Sequence, residues 1–166
     1  HPAMRHNITR VIDAQGRQSV ANEYGAPDDG WAFNCVVRQW SGDFPYRYEY
    51  EQVQAVFPNP LYVDIPALRT TIRTPDDALH IYTFNYRGDM LDHRFRPQPG
   101  RFLARGRLHV AYDVPGNITE CVLPDGSREI RTYDSANPDP RARRNLLKLE
   151  IAANLPGLTP SRVLFQ

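Results

Sequence analysis

Proline recurs along the whole chain, 15 residues in 166, and it closes off most of the structures the chain could otherwise adopt. Each proline fixes φ near about −65°, removes a backbone donor and clashes with the preceding helical turn. Such spacing leaves no room for long helices. Ten glycines are scattered in the same way, and the runs between these breaks are short. Several of those runs alternate with period two, the pattern of strands that bury one face. In Tyr46-Arg47-Tyr48-Glu49-Tyr50 three tyrosines share a face opposite Arg47 and Glu49. Tyr82, Phe84 and Tyr86 oppose Leu79, Ile81 and Thr83, which predicts a strand covered on both sides. Leu108, Val110 and Tyr112 oppose Arg107 and His109. The expected class is mainly β, made of antiparallel hairpins in a meander running at least from Leu108 to Tyr133.

One stretch gives conflicting signals. Asp139 is a helix cap residue, Pro140 suits a first helical position, and the following Ala, Arg, Leu and Lys residues form helices well. Yet Leu147, Leu149 and Ile151 alternate with Lys148 and Glu150. Periodicity outweighs propensity here, and predicts a loop through Arg144 followed by a strand. Pro58, Pro60 and Pro66 mark an irregular crossing between two strand groups. Composition changes too little across it to divide the chain, so residues 1–166 are expected to form one β region. His1-Pro2-Ala3-Met4 and Val163-Leu164-Phe165-Gln166 resemble a cloning scar and half of a viral protease site, and are set aside as open to an artificial origin.

Internal similarity carries the most information. Phe84-Asn85-Tyr86-Arg87-Gly88-Asp89 overlays Tyr112-Asp113-Val114-Pro115-Gly116-Asn117, and a third aromatic-acid pair stands at Tyr133-Asp134. Asp13-Ala14-Gln15-Gly16-Arg17 and Pro124-Asp125-Gly126-Ser127 supply further acidic-residue-and-glycine turns. The physical sense is a repeated hairpin. Phe84, Tyr112 and Tyr133 pack on the sheet. Asp113, Asp125 and Asp134 bond turn amides, as Asp13 and Asn85 would in their own turns. Gly16, Gly88, Gly116 and Gly126 take the conformation that a Cβ disfavours.

The run from Val110 through Thr119 and Leu123 to Ser127, ending at Thr132-Tyr133-Asp134, resembles the repeat unit of the Rhs, or YD-repeat, family. Asn7 to Arg17 and Tyr82 to Asp89 resemble more degenerate copies, and the likeness fades between Tyr50 and Leu79. This resemblance implies a spiralling β-sheet that closes into a hollow cocoon. In bacteria such shells hold a toxic domain, delivered by secretion machines or toxin complexes; animal relatives serve adhesion. The implied partners are the remainder of a larger shell and its toxin cargo. The implied location is the bacterial cytoplasm before delivery, then outside the cell or on its surface. The chain is too short to close a cocoon, lacks the Asp-Pro-x-Gly-x-x-Gly type of self-cleaving motif, and shows no toxin domain. A fragment, a processed piece or a degenerate standalone relative is therefore expected.

Chemical alternatives find little in the sequence. The histidines at 1, 6, 80, 93 and 109 show no close ligand spacing, so no metal or other cofactor is expected. Cys35 and Cys121 form no C-x-x-C pair and suit either inert thiols or one bridge. Ser41 and Ser127 lack the glycine-flanked elbow of hydrolases. Asp28-Asp29 and Asp76-Asp77 sit in turns, where adjacent carboxylates do not converge as a catalytic acid and base must. No enzyme activity is expected. A net charge of +1 creates no global field, and Arg141, Arg143 and Arg144 form a basic cluster without interleaved aromatics, so nucleic acid is not an expected partner. No apolar run approaches the roughly 20 residues of a membrane span, and no export signal is visible. The alternative function is a carbohydrate-binding or adhesion module that uses Tyr46, Tyr48, Tyr50, Tyr82 and Tyr86 as stacking faces.

Overall fold

The structure, a computed structural model, describes residues 7–54, 59, 61–98, 106–154 and 161–164. Among them are twelve strands: β1 (Arg10–Ile12), β2 (Gln18–Tyr24), β3 (Val36–Ser41), β4 (Phe44–Gln52), β5 (Leu68–Arg73), β6 (Leu79–Phe84), β7 (Met90–Arg96), β8 (Gly106–Tyr112), β9 (Ile118–Val122), β10 (Arg128–Tyr133), β11 (Leu146–Ala152) and β12 (Ser161–Leu164). The twelve form one sheet whose spatial order is the chain order. All eleven strand pairings are antiparallel. A single 3-10 turn at Gly30–Ala32 is the one helical piece among the described residues. The chain is mainly β, and its meander runs well beyond both ends of the Leu108–Tyr133 stretch.

Alternation wins over helix propensity in the ambiguous segment. Residues 139–144 form turns and Leu146–Ala152 forms β11. A short isolated helix is marginal in water, whereas the edge of β10 offers six register partners from Arg128 to Tyr133. Tyr86 departs from the expected pattern: β6 ends at Phe84, so Tyr86 lies in the following turn rather than on the strand face. Pro66 lies in a strandless stretch between β4 and β5; Pro58 and Pro60 fall outside the described residues. Val163 and Leu164 complete β12, which pairs Lys148 with Leu164, so the sheet includes part of the segment set aside as open to an artificial origin; residues 1–4 lie outside the described set.

The core is thin. Val63, Ala67, Ala78, Leu91 and Val110 are the buried apolar residues among those described. The 61–67 crossing is tied to the sheet by the Ala67 amide, which donates to the Phe84 carbonyl at 2.8 Å, and by Val53, whose amide donates to Ala67 O at 2.8 Å. The alternation around Tyr82 and Phe84 predicts that β6 is covered on both sides. It is half-buried throughout, and a second strand layer is absent among the described residues. The chain exposes 11571 Å², where a compact globule of its mass would expose about 8,400 Å².

Candidate functional site

Five hairpins turn in the same way, through residues 13–17, 74–78, 85–89, 113–117 and 123–127. In each the fourth residue's amide donates to the first residue's carbonyl, and the first residue's amide donates to the fifth's carbonyl, at 2.8–3.1 Å. Positive φ falls on the fourth residue every time: Gly16, Asp77, Gly88, Gly116 and Gly126. This is a type I turn closed by a left-handed bulge residue, a geometry that joins antiparallel strands without splaying them.

Side chains reinforce the turns in different ways. Asp13 Oδ1 accepts from the Gln15 and Arg17 amides at 2.9 and 2.8 Å. The Arg17 amide bond is the main reason the Asp13 carboxyl is held below its usual range. Asp113 Oδ1 accepts from Asn117 N at 2.7 Å. Asn85 is wholly buried and fully employed: Oδ1 accepts from the Arg87 and Asp89 amides, while Nδ2 donates to Val63 O and Asp89 Oδ2, all at 2.9 Å. It thus fastens a turn to the crossing.

Asp125 bonds a turn amide as expected, whereas Asp134 does not. Asp125 occupies the third position of its turn, with Leu123 first, and takes the Ser127 amide at 2.9 Å and hydroxyl at 2.5 Å. The Ser127 hydroxyl is the chief reason its carboxyl sits low. Asp134 opens a long loop instead of a five-residue turn, its amide donating to Asn145 O at 3.0 Å. Its carboxylate accepts the Asn137 side-chain amide at 2.5 Å rather than a turn amide; no glycine follows it to tighten the chain.

A second repeated device lies in the tyrosine hydroxyls. Tyr24 donates to Ile8 O at 2.8 Å, Tyr50 to Val36 O at 2.8 Å, Tyr112 to Met90 O at 3.1 Å and Tyr133 to Ile118 O at 3.0 Å. Three of these clasps run from near the end of an even-numbered strand to the start of the strand before it, and Tyr24 reaches from the end of β2 to Ile8, two residues ahead of β1. Phe84 ends β6 at the corresponding place and has no hydroxyl to offer. Burial pushes the Tyr50 phenol up to about 12 and raises those of Tyr48 and Tyr112. The hydroxyls of Tyr48 and Tyr50 are both engaged by the neighbouring β3, Tyr48 donating to Gln39 Oε1 at 3.2 Å.

Register separates two faces on β4–β8. One carries Tyr48, Ile72, His80 and Phe95 in a row, beside Tyr50, Thr70, Tyr82, His93 and Leu108. Tyr82 and His93 stack at 4.3 Å with planes 3° apart, and His80 Nδ1 lies 3.0 Å from His93 Nε2. Burial, then the neighbouring His80, lowers the His93 pKa, against the pull of Asp92. The other face carries Glu49, Thr71, Ile81, Arg94 and Arg107 in register. Asp92, 6% exposed, is paired there with two arginines. Spacing in the chain could not reveal either cluster, because both depend on cross-strand register. Cys35 and Cys121 are both free and half-buried. Among the described residues no group of three or more ligating side chains could hold a metal, and no helix is long and apolar enough to cross a membrane.

The chain matches no protein-family model and no curated protein.

Proposed function

We propose that this chain is a wall segment of a larger YD-repeat-like shell that encloses a toxin cargo and takes part in its delivery, without catalysis of its own. The observation that carries the reading is the strand order, β1 to β12 in sequence, with β1 and β12 each paired on one side only among the described residues. Open edges present rows of unpaired backbone groups that invite another strand. The excess of exposed surface, about 3,000 Å² over a compact globule of this mass, is of the order that large permanent interfaces bury. Repeated turns and tyrosine clasps supply a unit that can be propagated along a wall. Enclosure then follows from backbone pairing and packing, with the rest of the shell, its cargo and the delivery machinery as partners.

Protease challenge of the native assembly tests this reading. An intact assembly should shield a bound protein that becomes cleavable once the assembly is opened by mild denaturant. A bound protein cleaved equally fast in both states, or no bound protein at all, would contradict enclosure. Glycan binding that is lost in Tyr48→Ala would instead favour the adhesion module, although the engagement of the Tyr48 and Tyr50 hydroxyls by β3 supports packing.

A further inference from the structure

We propose that Arg94 and Arg107 form a binding site for a small oxyanion, a carboxylate or phosphate group, on the charged face of the sheet. The two arginines stand directly opposite each other across β7 and β8. Like charges in that position repel, and here a single carboxylate holds both. Arg94 Nε donates to Asp92 Oδ2 at 2.6 Å and Arg107 Nε to Oδ1 at 2.7 Å. Asp92 is buried, with its side chain 8% exposed, while the Arg94 and Arg107 side chains are 50% and 60% exposed. The carboxylate therefore anchors the inner edge of each guanidinium and leaves much of each side chain open to solvent.

Donor counting shows what is left over. Two guanidiniums offer about ten N–H donors, whereas one carboxylate has about four lone-pair sites. The pair also keeps one positive charge beyond what Asp92 neutralises. Planar guanidiniums fixed by an anchoring carboxylate suit two-point recognition of a carboxylate or phosphate, which an ammonium group cannot reproduce.

The surroundings form a pocket rather than a flat patch. A cavity of about 170 Å³ is lined by Arg94, Arg107 and Asp92 together with Arg69, His109 and Asp64. Arg69 is paired to Glu51, and Asp64 is the carboxylate that opposes an incoming anion. At about 30 Å³ per water, the space has room for a carboxylate or phosphate group. His109 faces Asp92 in register, and its Nδ1 is buried without a hydrogen-bond partner among the described residues. Asp92 acts in this site as a positioning residue, since it holds the arginines and would not itself bind the anion. An anion site on this face does not depend on whether the sheet is part of a shell.

The test is titration of the full chain with inorganic phosphate, and separately with acetate, by calorimetry at ionic strength held constant with sodium chloride. Saturable binding of either anion at one site is expected. Arg107→Gln should weaken it at least tenfold, and Arg94→Lys likewise, because lysine keeps the charge but loses the fork. Arg38→Gln, which removes the same charge elsewhere on the sheet, should change affinity less than twofold. Circular dichroism of each variant confirms that the comparison is made on folded protein. No saturable binding, equal weakening by Arg38→Gln and Arg107→Gln, or full retention in Arg94→Lys would overturn the proposal.

Discussion

Asn85 shows how much a single side chain can decide. In the repeat alignment Asn and Asp look interchangeable, since either can accept turn amides. The buried environment separates them: Nδ2 of Asn85 donates to Val63 O and Asp89 Oδ2, and a carboxylate could donate to neither. Asn85→Asp is expected to cost more than about 2 kcal/mol at neutral pH, by burying an unpaired charge, and to recover part of that loss in acid. Urea denaturation at two pH values checks both. Gly116 gives a conformational counterpart. Its φ is +95° and an added Cβ would meet Arg87 Nη2 at 2.5 Å. The arginine tip can move but the backbone cannot, so Gly116→Val should lose more than the ~1 kcal/mol of an ordinary glycine replacement. Unchanged thermal stability would remove the turn from the repeat. The tyrosine clasps predict a smaller effect: Tyr112→Phe and Tyr133→Phe should each lose about 1 kcal/mol. Phe84→Tyr, which offers a hydroxyl where the series lacks one, should raise stability in the same denaturation assay.

At the scale of hairpins, β6–β7 is the acid-sensitive element. Its stacked histidines share one hydrogen bond between ring nitrogens, which requires one of the two to be unprotonated. His93 has its pKa lowered from 6.5 in the folded chain. As pH falls through about 6.5 the unfolded chain takes up a proton before the folded one does, so stability declines and levels off once folded His93 is protonated. Asp13 and Asp125 act in a lower window: their folded pKa values lie below 3.8, so their stabilisation is present above that pH and lost as pH falls further. Denaturation midpoints between pH 7 and 5 should show the first decline, and His93→Gln should flatten it. Elements of this kind were only half legible in the sequence. Period-two runs and Gly-containing turns announced β4, β6, β8 and the 85–89, 113–117 and 123–127 hairpins. Asp76-Asp77 reads as part of a turn, but not as one of the repeated kind, because Asp77 takes the left-handed position usually held by glycine. The tyrosine clasps were hidden because each acceptor lies on, or just ahead of, the preceding strand, 14 to 22 residues away. The Asp92 cluster was invisible for the same reason, since register alone brings Arg107 beside it. Aromatic-acid spacing also overreached, placing Asp134 in a tight turn when it opens a long loop.

Among the described residues the chain is a single sheet with a small core, unlike faces over β4–β8, and end strands β1 and β12 each paired on one side only. Its stability is expected to resemble that of repeat proteins, in which each unit is supported by its neighbours and end units suffer most from missing partners. Hydrogen exchange on the free chain should therefore be fastest in β1 and β12 and slowest around β6–β8, where Asn85, Leu91 and Val110 are buried. Uniform protection along the sheet would mean that its ends need no further support. The most direct test of the wall-segment reading is native mass spectrometry of the protein purified from its own source. A covalent link to, or one-to-one association with, a much larger β-rich chain is the predicted result; a free, folded monomer would contradict it and make the standalone binding module the leading reading.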